Sequence, residues 1–261
     1  MNSGLQFDKK ASARLISVYV TPDVVAQREQ VLEALNLKPG ERVLDVGSGP
    51  GFLTSAIGEK VGRSGQVSGI DISEPLLEVA KAHCAHQSWV DFRRGDATKL
   101  PLPDTCFDVA VVTQVLEYVG DVAGALLELR RVLRPDGRVI ILDTDWDSIV
   151  WYTTNRERMN RILEAWDEHL ADPYLPRTLS SKLREAGFRV ETQDIIPLFN
   201  PVFDVETYSN RVIDIIAPFV TGRRGITAED ADAWAQELRK LGEQEKYFFS
   251  LNRYLFKARK P

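Results

Sequence analysis

Val43-Leu44-Asp45-Val46-Gly47-Ser48-Gly49-Pro50-Gly51 is the stretch that decides the fold. A short β-branched run, Arg42 to Val46, ends in glycines, and a helical pattern, Phe52 to Val61, begins just beyond them. Glycines at such a turn admit positive φ and let the backbone come close to a ligand. The free N–H groups of the helix start favour a polar or negatively charged one. An ordinary tight turn would use the same residues, so the flanking sequence has to decide between the two.

Outward from this turn the pattern alternates. Gln66 to Ile72 reads as a second strand, Glu74 to His86 as a helix, and Val90 to Arg94 as a third strand. Phe107 to Thr113 is almost continuously apolar, as a strand covered on both faces of a parallel sheet must be. Val122 to Leu133 reads as a helix stopped by Pro135 and Gly137, and Arg138 to Asp143 as a fifth strand. Strands alternating with helices imply a doubly wound α/β sheet. Upstream, the polar helical stretch 1–38 breaks at Thr21-Pro22, with Thr21 as N-cap and Pro22 in a first turn. Downstream, Asn155 to Leu170, Leu179 to Ala186, Val205 to Phe219 and Ala228 to Leu241 read as helices. Arg189 to Leu198 and Tyr247 to Lys257 read as strands, so 199–245 forms a helical insertion between them.

Three acids sharpen the reading of the turn. Asp45, Asp71 and Asp96 stand at the ends of three successive strands, and open α/β sheets bind ligands at those carboxyl ends. Asp71 lies twenty residues past Gly51, where an acid can accept from both hydroxyls of a ribose. An acid in the position of Asp96 can accept from the exocyclic amine of an adenine. A dinucleotide fingerprint would need glycine at the sixth position of GxGxxG. That position is Phe52, which disfavours a nicotinamide-dependent oxidoreductase.

Composition excludes other classes. The 261 residues are 44% apolar and 27% charged, ordinary values for a globular chain. The net charge of −5 and the lack of a basic arm argue against a nucleic-acid substrate. Cys84 and Cys106 are the two cysteines, a pattern of reduced cytosolic proteins. The longest apolar stretch, Val109 to Val112, is far short of the ~20 residues that span a bilayer. The expectation is a cytoplasmic protein with no stable membrane insertion, with a homodimer left open.

The ordered set of motifs resembles the class I S-adenosylmethionine-dependent methyltransferases. Val43 to Gly51 looks like their first motif. Asp71, Gly95-Asp96-Ala97, the strand and turn from Phe107-Asp108 to Tyr118, and Arg131-Val132-Leu133-Arg134-Pro135-Asp136-Gly137 match the later ones in order. The likeness covers about residues 30 to 145. It is similar to the subgroup holding the ubiquinone/menaquinone C-methyltransferases and many small-molecule methyltransferases. It implies a Rossmann-like seven-stranded sheet with an antiparallel strand, which suits Tyr247 to Lys257. It implies that Gly47, Gly49 and Gly51 pass the methionine part of S-adenosylmethionine, and that Asp45 orients the loop or meets the amino group. Asp71 would hold the ribose with Ile72 on the adenine. Asp96 would take the adenine amine beside Ala97, and Gln114 would lie near the methionine moiety. Tyr19 falls in the segment that often lids the cofactor. The whole chain would be one domain: a lid at 1–38, a cofactor-binding core at 39–146, and substrate-cap elements at 147–188 and 199–245.

The implied function is methyl transfer to O, N or C of a small-molecule acceptor, leaving S-adenosylhomocysteine. An inactive cofactor-binding sensor or partner subunit is the alternative. No catalytic residue is demanded, because a general base is needed only where the nucleophile would otherwise stay protonated. Candidates are Asp145, which alternates with Asp143 and Asp147 past the fifth strand, Tyr152 beside Trp146 and Trp151, and His169. The greasy residues Phe203, Ile213, Ile216 and Phe219 suit an apolar acceptor. His83, Cys84 and His86 fall on a helix away from the strand ends and read as surface; no metal site is expected. Arg223-Arg224 reads as a solvated turn.

Overall fold

The computed structural model describes residues 9–261, with side chains from Arg14 onward. The strand that feeds the glycine turn, β1 (Arg42–Val46), lies mid-sheet. It pairs in parallel with β2 (Gln66–Asp71) on one side and β4 (Phe107–Thr113) on the other. β3 (Val90–Arg94) extends the sheet beyond β2, and β5 (Leu133–Thr144) beyond β4. The strand order therefore reverses at β1, which opens a crevice where its loop emerges.

The chain's last strand, β8 (Phe249–Arg259), enters antiparallel between β5 and β7 (Arg189–Asn200). A two-residue strand, β6 (Val150–Trp151), takes up the same side of β8 after β5 has left it. The sheet thus has eight strands among the described residues rather than seven. Two residues are too few to show a period, so β6 has no signature in the sequence. β5 also starts earlier than Pro135 and Gly137 suggest. Leu133 already pairs with Phe107, and the proline and glycine sit in an irregularity of the strand before Arg138 pairs with Val109.

Period-two alternation sends the core to both faces. Val43, Val109, Val111, Ile140 and Leu142 pack with α2 (Pro22–Leu35) and α3 (Phe52–Val61). Leu44, Val46, Ala110, Val112 and Ile141 pack with α5 (Val122–Val132) and α7 (Pro176–Glu185). α4 (Glu74–His83) follows β2 and ends three residues earlier than the expected His86.

A second core lies over the carboxyl end of the sheet. It joins α1 (Lys9–Tyr19), α6 (Arg156–Trp166), α8 (Tyr208–Val220) and α9 (Ala228–Glu243) around Trp146, Trp151, Trp166 and Trp234. α6 stops at Trp166 rather than Leu170, and a 3-10 turn, Asp167–His169, completes the segment. The break at Thr21-Pro22 falls as expected between α1 and α2, but the Thr21 hydroxyl donates back to the Val18 carbonyl, 2.8 Å away, rather than capping α2. Asp23, in the first turn of α2, accepts instead from the Tyr208 backbone N–H at the start of α8 and from Asn200. This carboxylate ties the N-terminal helices to the upper core.

Candidate active site

The loop after β1 is built from left-handed glycines. Gly47, Gly49 and Gly51 have φ of +74°, +52° and +80°. At Gly47 the need is steric as well, because a Cβ would stand 2.0 Å from Cγ2 of Val115. The backbone N–H groups of Gly47 and Ser48 donate to the Ile70 carbonyl at 2.7 and 3.0 Å, which pins the loop to β2. Gly49 N–H donates to Asp71 Oδ2, and Ser73 N–H to Asp71 Oδ1, each at 2.8 Å.

A cavity of about 590 Å³ opens from this loop, well inside the range of roughly 300–1,000 Å³ usual for small-ligand sites. Asp45, Gly47, Gly49, Asp71, Ile72, Asp96, Ala97, Gln114 and Tyr19 all line it. Gly51 does not; its Cα lies beneath, where a Cβ would meet Ala80 at 3.0 Å. Asp45 is buried, and its Oδ2 accepts from the Thr54 hydroxyl at 2.6 Å. Burial pushes its carboxyl up to about 7 against the pull of that hydrogen bond. Burial also raises Asp71, opposed by the N–H donors of Ser73 and Gly49. Asp96 is exposed, with Oδ1 held by the backbone N–H and hydroxyl of Thr98.

Gln114 turns out of β4 with φ +57°. Its Oε1 accepts from the Thr144 hydroxyl at 2.6 Å, while its buried Nε2 has no partner. Tyr19 ends α1 with its ring edge 3.9 Å from where a Cβ on Gly49 would stand, so it roofs the loop. Its hydroxyl is pushed up, by burial first and then by Asp71. Arg28 of α2 lies 5.3 Å over the Phe52 ring and donates to the Tyr19 carbonyl.

These residues fit S-adenosylmethionine on three structural grounds. A carboxylate offers about four acceptor positions, and the two backbone donors at Asp71 leave the rest for a diol. The Gly47–Val115 approach keeps the loop thin beside the cavity. The unpartnered Gln114 amide supplies a buried donor that a ligand carboxylate or carbonyl would satisfy.

The three candidates for a chemical role lie outside this cavity. Asp145 is buried under Arg177, which grips both its oxygens at 2.8 and 2.9 Å, while Asp147 takes the same guanidinium at 2.7 Å. Asp143 is fully buried and accepts from Val115 N–H. Tyr152 is 46% exposed and does not line the cavity. His169 is 3% exposed, stacked 3.7 Å from Trp166 and edged by Trp146, Tyr118 and Phe219. Burial holds its imidazole down near about 3, so it stays neutral.

The upper wall differs from the greasy set read in the sequence. Ile213 and Ile216 turn into the second core, and α8 offers Tyr208, Val212 and Ile215 to the cavity instead. Trp146 lines it; Trp151 packs on Trp234 and Phe249. Arg253 lines it too and carries no sequence motif. The signal was its phase: Phe249, Leu251, Arg253 and Leu255 share the buried face of β8. Glu117 is a second hidden charge, fully buried, accepting from Thr144 N–H at 2.9 Å and pushed up to about 7 by burial. Arg223 and Arg224 form ion pairs with Glu168 and Glu164.

Residues 44–141 match a family model described as a methyltransferase domain. An uncharacterized 37.1 kDa protein in a Streptomyces fradiae transposon is 35% identical over 181 residues, 67% of this chain and 51% of its own length. Demethylmenaquinone methyltransferase of Staphylococcus epidermidis is 40% identical over 117 residues, 45% of this chain and 48% of its own length. The chain thus spans about half the length of the curated relatives it matches. In fold it is similar to Haemonchus contortus phosphoethanolamine N-methyltransferase 2 solved with S-adenosyl-L-methionine. The TM-score is 0.63 at 18% identity, over 98% of this chain and 58% of the other.

Proposed function

We propose that this chain, a member of the class I S-adenosylmethionine-dependent methyltransferases, methylates a small molecule enclosed between the glycine loop and the helices above it. One observation carries the reading. A single cavity is lined from below by Gly47, Asp71 and Asp96 and from above by Trp146, Tyr208 and Val212, so cofactor loop and apolar wall share one space.

The bound sulfonium supplies an electrophilic methyl group together with its own leaving group. The chain's residues have to orient and exclude water. Asp71 would accept from the ribose hydroxyls, its carboxylate already fixed by Gly49 and Ser73. The free oxygen of Asp96 would accept from the adenine amine, with Ile72 and Ala97 beside the base. Gln114 Nε2 would donate to the amino-acid end. Asp45, tied to Thr54, would stiffen the β1–α3 turn and meet the ammonium. Tyr19 would close over the loop, and the stretch 1–38 would act as the lid, its first eight residues lying outside the described ones. Residues 147–188 and 199–245 would cap the acceptor. Among the described residues no histidine lines the cavity, which suits a reaction driven by alignment.

Calorimetry tests this directly, with S-adenosylmethionine and S-adenosylhomocysteine as ligands and NAD as control. Wild type should bind both sulfur nucleosides. Asp71→Ala should bind them at least about tenfold more weakly, the loss expected when charge-assisted hydrogen bonds go. A folded wild type that binds neither would overturn the reading.

A further inference from the structure

Arg253 is the one lysine or arginine buried among the described residues, 5% exposed. Burying a cation is costly unless a partner compensates it. Among the described residues no carboxylate forms an ion pair with it. Gln27 of α2 accepts from one end nitrogen, the ring of Tyr208 lies 4.9 Å from the guanidinium carbon, and Nε has no partner. A neutral amide and an aromatic face orient a guanidinium without neutralising it.

Glu117, buried nearby, is drawn down by Arg253, yet it forms no ion pair with it and takes its hydrogen bond from the Thr144 N–H instead. Burial raises the phenols of Tyr19, Tyr118 and Tyr208, which stay neutral. Burial nonetheless leaves Glu117 raised. Asp143 is raised as well, by burial and by Glu117. Meanwhile the wall beside Arg253 is apolar and aromatic: Val18, Val24, Trp146, Trp166, Tyr208 and Val212. Trp166 Nε1 is a second buried donor with no partner. The other cation of the cavity, Arg28, sits apart over Phe52 beside the glycine loop.

We propose that Arg253 selects the acceptor: it binds a carboxylate or another oxygen anion borne by a flat apolar molecule, holding the rest of that molecule against the aromatic wall. This rests on the reading above, that the upper half of the cavity takes the acceptor. The chemistry follows from the guanidinium, whose planar fork matches a carboxylate in two parallel hydrogen bonds. Gln27 and Tyr208 keep the fork at one angle before the ligand arrives, which lowers the cost of ordering it.

The test uses the whole protein saturated with S-adenosylhomocysteine. Benzoate and 2-naphthoate are titrated against benzamide and 2-naphthamide, which match them in shape and lack the charge. Wild type should prefer the carboxylates by at least about tenfold, the worth of one charge-assisted pair. Arg253→Met should lose that preference while binding S-adenosylhomocysteine as wild type does. Arg253→Lys, which keeps the charge without the fork, should retain part of it, and it decides the matter should the methionine variant not fold. No preference in wild type, or a preference untouched by both variants, would overturn the proposal. So would a fall in S-adenosylhomocysteine affinity with the preference intact, since that would assign Arg253 to the cofactor's own carboxylate. A protein that binds neither sulfur nucleoside would fail the methyltransferase reading and the acceptor role of Arg253 with it, whereas saturation with S-adenosylhomocysteine and no carboxylate preference would fail this proposal alone.

Discussion

Two sets of three aspartates stand at or just past strand ends in this molecule, and they meet opposite fates. Asp45, Asp71 and Asp96 all line the cavity. Asp143, Asp145 and Asp147 do not, although they sit at or just past the end of a strand that finishes at the same side of the sheet. The difference is what comes next in the chain. After β1 a run of left-handed glycines lifts the backbone away and leaves the Gly49 N–H to hold the Asp71 carboxylate in place. After β5 the chain crosses at once into the second core, and Arg177, reaching from α7, closes over Asp145 and Asp147. An acid at a strand end is therefore a site residue only where the following turn leaves room beside it.

The largest effect should come from removing that room. Gly47→Val combines a left-handed backbone with a Cβ placed on Val115. We expect a loss of about 3 kcal/mol or more in denaturant unfolding, the joint cost of strain and overpacking. S-adenosylhomocysteine binding should vanish in any fraction that still folds. A stable Gly47→Val variant with unchanged binding would break the comparison, because the loop would then not need its glycine.

A smaller effect sharpens the other side. Asp145→Asn leaves the shape but removes the charge that Arg177 grips. Melting temperature should drop by a few degrees, since the guanidinium on the outer side of the pair is half-exposed and well solvated, while S-adenosylhomocysteine affinity holds. A tenfold loss of that affinity would return Asp145 to the site.

Much of the contrast was legible in the sequence, and what was not had a physical cause. β1, β2 and β4 fall where β-branched runs and their turns put them, because both faces of a parallel sheet demand apolar residues, while β3, at the edge and with no buried residue, was placed by the alternation alone. Eight of the nine residues placed around the cavity followed from their positions in the ordered motifs, and Tyr19 from its place in the segment before the Thr21-Pro22 break. Asp145 and His169 misled because a sequence shows a residue's type and period but not the partner that covers it. Arg177 lies thirty residues from Asp147, and the Trp166–His169 stack sits where α6 gives way to a 3-10 turn. Ile213 and Ile216 illustrate the same limit. Helical spacing defines an apolar stripe, yet α8 is packed on one side and open to the cavity on the other, and Val212 and Ile215 took the open side. Arg253 was within reach: strict alternation along β8 already put it on the inward face.

The last comparison separates the two regions by the sign of a pH slope and not by its size. Asp45 is raised in the fold from 3.8 to about 7. The native state then holds a proton that the unfolded chain releases, so its contribution is full below pH 3.8 and is lost as pH rises towards 7. His169 is lowered from 6.5 to about 3. Here the unfolded chain takes up a proton that the native state refuses, so its contribution is full above pH 6.5 and is lost as pH falls towards 3. Measured between pH 4 and 6.5, Asp45→Asn should gain stability relative to wild type as pH rises, and His169→Phe should gain it as pH falls. Each difference has a ceiling of about 1.4 kcal/mol per pH unit. A flat difference would mean that the group behind it is solvated, and the variant that shows it says which. A flat Asp45 difference places its carboxyl in water and removes the buried floor of the cavity, whereas a flat His169 difference opens only the packing behind Trp166.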